Sequence, residues 1–203
     1  MKTLDNATMA SNPGGLVLSR EKYALYFGRN AADRWLYRFC AGLPWAARIL
    51  PLGGARVRHW TRTREHLEHG CLGPAAVIDP DKGLIAAFSS LTAQGETPTP
   101  VVKIFRERLD LVDPLLVRKG ARLAVACIFW STEESMARGC WSDFSPIVIN
   151  CLVDDPGSGE AAKARIKPLA WEVLGLGLAK LQGRRQVGLY PVDVPLDMAW
   201  DAF

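Results

Sequence analysis

The sequence predicts an α+β fold with N-terminal helices, a central antiparallel sheet or small barrel of about five or six strands, and a C-terminal amphipathic helix. Three observations predict it. Helix caps and stops cluster in the first quarter of the chain. Short apolar runs separated by turn residues fill the middle. Apolar residues at helical spacing return after residue 160.

The composition is that of a globular protein. The chain has 203 residues, of which 49% are hydrophobic and 23% charged, and this excludes the disordered and disulfide-scaffold classes. We expect a flexible lead over 1–18, a helical region over 19–54, and a β-rich core with a C-terminal helix and tail over 55–203. The helical region and the core are expected to form one compact unit.

The first helical region runs from about residue 19 to 41 and breaks near Gly28. Asn30 can cap its second half, with Asp33 three residues later, and Gly42 ends it. A further short helix is expected over 45–50.

Residues 55–64 place arginine, or tryptophan at position 60, at every second position, and we interpret them as a strand. Period two would place five residues on one face: Arg56, Arg58, Trp60, Arg62 and Arg64. A helix would instead spread the arginines around its axis.

Strands are predicted over 75–78 and 84–91, joined by a turn that ends at Gly83, and over 101–109. The nearly continuous apolar runs 121–130 and 146–153 are typical of buried central strands.

Helical spacing from Ile166 to Leu181 predicts the C-terminal helix, with Pro168 as a kink or a restart. Gly175 and Gly177 lie inside that helix, and we interpret them as close-packing positions, not as a phosphate-binding loop, because no strand precedes them. A last strand is expected over 187–190, followed by an apolar tail that contains Trp200.

Cysteine usage predicts a reducing compartment. The five cysteines form no C-x-x-C pair, and the first residues lack the apolar run of a secretory signal. No stretch reaches the roughly 20 apolar residues of a membrane span. We therefore expect a cytoplasmic protein with no transmembrane segment.

The charge is asymmetric. Residues 1–70 contain 11 Lys and Arg against 5 Asp and Glu, a net of +6, and the remaining 14 basic and 16 acidic residues give −2. Any anionic partner is expected to meet the first third of the chain.

The strongest metal candidates are His66, His69 and Cys71, whose side chains are good ligands for zinc. Their spacing matches no standard ligand set and Gly70 interrupts a helix between them, so the sequence predicts no metal and no cofactor.

Three interpretations of the arginine-rich face stay open. It can be a charged edge strand, a surface for an acidic protein, or a track for single-stranded nucleic acid with Trp60 as a stacking platform. Trp141 and Phe144 form a second candidate surface, or they close the end of the barrel.

We expect a binding or adaptor protein without intrinsic catalysis that engages a protein partner through its basic and aromatic surface. Two alternatives remain: single-stranded nucleic-acid binding by a small β-barrel, and a small-molecule or metal-dependent enzyme whose site is not visible as a motif.

Overall fold

Two helices begin the folded part of the chain, as the capping residues predict. The computed structural model describes residues 4–5, 11–43, 53–93, 98–195 and 198. Helix α1 spans Arg20–Phe27 and α2 spans Ala31–Gly42. The Asn30 side chain accepts a hydrogen bond from the Asp33 amide, which confirms the predicted cap. The short helix expected over 45–50 lies outside the described residues.

The segment predicted to be an arginine-rich strand is helical. Helix α3 spans Gly53–His69, so the strand interpretation of 55–64 is wrong. Its buried side chains, Val57, Thr63, His66 and Leu67, recur at helical spacing. Because Thr63 and His66 are polar, the apolar pattern alone does not reveal this face.

Six strands form one curled antiparallel sheet, a half-barrel, in the order β6-β5-β2-β3-β4-β7, and the short β1 pairs with β5. The strands are β1 Leu4–Asp5, β2 Cys71–Asp79, β3 Leu84–Ser90, β4 Pro100–Arg106, β5 Arg122–Ser131, β6 Asp143–Val148 and β7 Gly188–Pro191. The predicted hairpin between β2 and β3 is confirmed, with Gly83 in the left-handed conformation at φ 62°.

An ion pair between distant strands shows how strongly the sheet curls. Lys103 on β4 places its Nζ 2.7 Å from a carboxylate oxygen of Asp143 on β6, although three strands separate β4 from β6 in the sheet. Ala75 and Ala87 lie beside Lys103 in the same cross-strand row. Their small side chains leave room for the concave face to close.

Four further helices complete the fold: α4 Glu133–Ala137, α5 Ile149–Leu152, α6 Pro156–Arg165 and α7 Pro168–Lys180. The predicted C-terminal amphipathic helix is confirmed as α7, which restarts at Pro168 and buries Val173 and Leu174 against the sheet. The apolar run 146–153 is not one strand, because it divides between β6 and α5.

The segment before α1 packs onto the core where it is described. Arg165 of α6 donates to the carbonyl oxygen of Gly14 at 2.8 Å, and the Leu18 side chain is buried. The amide of Leu16 donates to the carbonyl of Leu67 in α3. These contacts connect the segment before α1 to α6 and to α3.

The two glycines of α7 give a matched test of helix packing. A Cβ on Gly177 would lie 2.8 Å from a Val102 methyl group, whereas one on Gly175 would meet nothing within 4 Å. We expect Gly177→Ala to lower the free energy of unfolding by about 1–3 kcal/mol through overpacking. We expect Gly175→Ala to raise it by about 0.5–1 kcal/mol through backbone entropy. Urea unfolding measures both, and equal effects at the two positions would contradict the assigned helix face.

Candidate functional site

Helix α3 distributes the five residues of the predicted arginine face over different directions. Arg58 and Arg62, one turn apart, are exposed on the same side. Arg64 is exposed on another side, and Arg56 and Trp60 turn toward α1 and α2. No described acidic side chain pairs with Arg58, Arg62 or Arg64.

Arg56 connects α3 to α2. Its Nη2 donates to Asp33 Oδ1 at 2.9 Å, and its guanidinium lies 5.3 Å from the centre of the Tyr37 ring. A hydrogen bond from the Arg29 amide, together with the Arg56 contact, lowers the pKa of Asp33. The Nε of Arg56 is buried and has no hydrogen-bond partner in the part of the chain that the structure describes.

Trp60 belongs to an aromatic cluster between the first three helices. The cluster consists of Tyr23, Phe27, Tyr37, His59 and Trp60. The fully buried Tyr23 ring is at its centre and meets the Trp60 ring edge-on, with 4.8 Å between the ring centroids. Trp60 is therefore a packing residue with one partly exposed edge, and not a free stacking platform.

A hydrogen bond of 2.8 Å joins the Tyr23 hydroxyl to Nδ1 of His59. Burial raises the pKa of Tyr23, so the phenol stays protonated and needs an acceptor for its proton. Burial, together with the Arg62 charge, lowers the pKa of His59, which is therefore neutral at pH 7. With Nδ1 as the acceptor, the imidazole carries its own proton on Nε2.

The largest exposed aromatic side chain described lies on α2. Trp35 is 60% exposed, and its ring stacks on Phe39 one turn later, with the planes 14° apart. Leu43, at the end of the same helix, is also exposed. The spacing of Trp35 and Phe39 does not reveal this exposure, because periodicity alone does not distinguish a buried apolar stripe from an exposed one.

The second predicted surface is largely interior. Phe144 is fully buried on the concave face of the sheet, where the Lys103 ammonium lies 5.6 Å from its ring centre. Phe144 is therefore not accessible to a partner, and its prediction as a partner-binding residue is wrong. Trp141 is half-buried, with its ring 6.1 Å from that of Phe129, and closes one end of the half-barrel.

The three metal candidates do not converge. The buried Nε2 of His66 donates to the carbonyl of Ala126 in β5 at 2.9 Å, and burial lowers the pKa of His66 to about 4. His69 is half-exposed beside Glu68. Burial raises the pKa of Cys71 at the start of β2. Within the described residues, no three His, Cys, Asp or Glu side chains could jointly hold a metal ion.

No family model matches the chain, and no curated protein does. A crystal structure from Corynebacterium diphtheriae, described as that of "a putative membrane protein", is similar at 18% identity and a TM-score of 0.49. The match covers 60% of this chain and 99% of the other.

That description contradicts the expected cytoplasmic location, and the prediction is corrected accordingly. A likeness of this size assigns no other location and no function to the chain. Among the described helices, none combines the length and the apolar character needed to cross a bilayer.

Burial of His66 makes stability depend on pH. The unfolded state binds a proton below about pH 6.5, whereas the folded state does so only near pH 4, so stability rises with pH between these values. We expect the free energy of unfolding to fall by about 2 kcal/mol between pH 6.5 and pH 5 from this group. Urea unfolding of wild type and of His66→Gln across this range measures it.

The control is His69→Gln, at a half-exposed histidine near the end of the same helix. It should keep the full pH dependence, while His66→Gln should reduce the slope. An unchanged slope in His66→Gln would mean that other groups cause the acid sensitivity.

Proposed function

We propose that this protein is a binding or adaptor protein without intrinsic catalysis, and that it engages an acidic protein partner through α2 and α3. The observation that carries the proposal is Trp35, which is 60% exposed and held by stacking on Phe39. A large aromatic side chain that is exposed yet fixed by a neighbour is typical of the centre of a protein interface.

The charge of the neighbouring helix supports an acidic partner. Phe39 packs against the small cluster of Cys40 on α2 and Val57 on α3, so the apolar ridge of α2 borders α3. Arg58 and Arg62 are exposed on α3 and unpaired among the described residues. We call Trp35, Phe39, Arg58 and Arg62 the docking face.

Arginine with tryptophan favours a protein surface that combines apolar and carboxylate side chains. The nucleic-acid alternative relied on five residues along one strand face. Those residues lie on a helix, two of them turned inward, so the observation behind that alternative is gone.

A display library of acidic amphipathic peptides, with a matched library in which Asn and Gln replace the acids, tests the proposal. We expect the acidic library alone to yield binders. For the best peptide, Trp35→Ala should raise Kd about 30-fold, as expected when a residue central to an interface is removed. Arg58→Glu combined with Arg62→Glu should abolish binding, because like charges then oppose the peptide. Isothermal titration measures both.

The chain offers matched controls for both changes. Arg64→Glu alters an exposed arginine on another side of α3, and Leu115→Ala removes an apolar side chain that is 82% exposed elsewhere. Both should bind like wild type. Equal enrichment of the neutral library, or equal loss in the controls, would overturn the proposal.

The first measurement tests whether the purified protein carries a bound polyanion. We expect a protein-like 260/280 absorbance ratio and a scattering mass that is independent of salt. A high ratio that falls with salt would favour nucleic acid instead.

A further inference from the structure

A cleft of about 280 Å³ opens between α2 and α3 and is lined by Tyr37, Ala55, Arg56 and His59. None of these four residues belongs to the docking face. Tyr37 is two residues from Trp35, and Arg56 is two residues from Arg58. Two residues along a helix correspond to a rotation of about 200°, so each pair points to nearly opposite sides of its helix.

Two hydrogen-bond donors belong to this cleft. His59 accepts from Tyr23 at Nδ1, which leaves the proton on Nε2 and fixes the ring. Arg56 uses Nη2 for Asp33, while its Nε has no partner among the described residues. Nε itself is covered, but the Arg56 side chain keeps 20% of its surface exposed, where a ligand oxygen can reach the guanidinium.

The charges around the cleft favour a single negative charge. Arg56 and Asp33 neutralise each other as a pair. Arg62 lies close enough to His59 to act on its titration and is unpaired in the described part of the chain. The neutral imidazole adds no charge, so Arg62 leaves the surroundings of the cleft positive at neutral pH.

The walls of the cleft are flat and aromatic. The Tyr37 ring forms one side, and the His59 ring is held edge-on to Phe27 with centroids 4.4 Å apart. The volume is at the lower end of small-molecule sites, which commonly begin near 300 Å³. A small planar ligand fits these walls better than a flexible chain.

We propose that this cleft binds a small planar carboxylate. Arg56 and the Nε2–H of His59 donate to the carboxylate oxygens, and the flat body of the ligand lies against Tyr37. Tyr23 is a positioning residue that sets the direction of the His59 proton. The site does not depend on the proposed protein partner, because the residues that line it differ from those of the docking face; Arg62 contributes charge to both.

Benzoate is the probe, and benzamide, of the same shape without the charge, is its control. We expect benzoate to bind with a Kd on the order of 1 mM or below. Benzamide should bind at least about tenfold more weakly, because its hydrogen bonds lack charge assistance. Amide and imidazole NMR shifts should concentrate at Tyr37, Arg56 and His59.

Three variants locate the site. Arg56→Gln and His59→Ala should each weaken benzoate binding about tenfold or more, and Arg62→Gln should weaken it about two- to fivefold. Arg62 is exposed, so its variant remains informative if Arg56→Gln does not fold. Trp35→Ala and Arg64→Gln are controls that should bind benzoate like wild type.

Equal binding of benzoate and benzamide would overturn the proposal, as would shifts confined to residues outside the cleft. Loss of peptide binding in Trp35→Ala with benzoate binding intact would separate this site from the docking face. Failure of the peptide experiment leaves the benzoate result unaffected.

Discussion

The rotation of α3 about its own axis determines what the surface of this protein presents, and a buried hydrogen bond to the sheet helps to fix that rotation. The bond joins Nε2 of His66 to the carbonyl of Ala126 in β5. Leu67, fully buried beside it, adds an apolar contact to the same layer. If α3 rotated, the buried His66 imidazole would lose its hydrogen-bond partner, which costs more free energy than the bond itself contributes. The Leu67 contact would be lost as well.

Because the rotation of α3 is fixed, its arginines have different surroundings at different positions. Arg56 turns toward α2, where Asp33 and Tyr37 receive it. Arg58 and Arg62 point to solvent. An arginine therefore makes packing contacts at position 56 and is exposed at position 58. The rotation of the helix causes this difference.

The sequence predicted the strand and helix framework better than the site. Turn residues around Gly83 and the cap at Asn30 are local signals, and both were correct because local geometry requires those residues. The segment 55–64 was misassigned because Thr63 and His66 occupy buried positions, and their hydrogen bonds to the His59 and Ala126 carbonyls are invisible in a hydropathy pattern.

The exposure of Trp35 could not be predicted for a related reason. Its spacing with Phe39 defines a helix face but not what covers that face. The Tyr23–His59 contact joins residues 36 positions apart, and no sequence spacing indicates such a pair.

The concave face of the sheet contains its own charge pair, Lys103 with Asp143, beside the buried Phe144 ring. The interface of α2 and α3, in contrast, contains a cation whose buried Nε has no described partner. Such a group lowers the stability of the free protein. A ligand that binds the cleft only in the folded state would add its binding free energy to stability, and binding would then stabilise the α2–α3 pair itself.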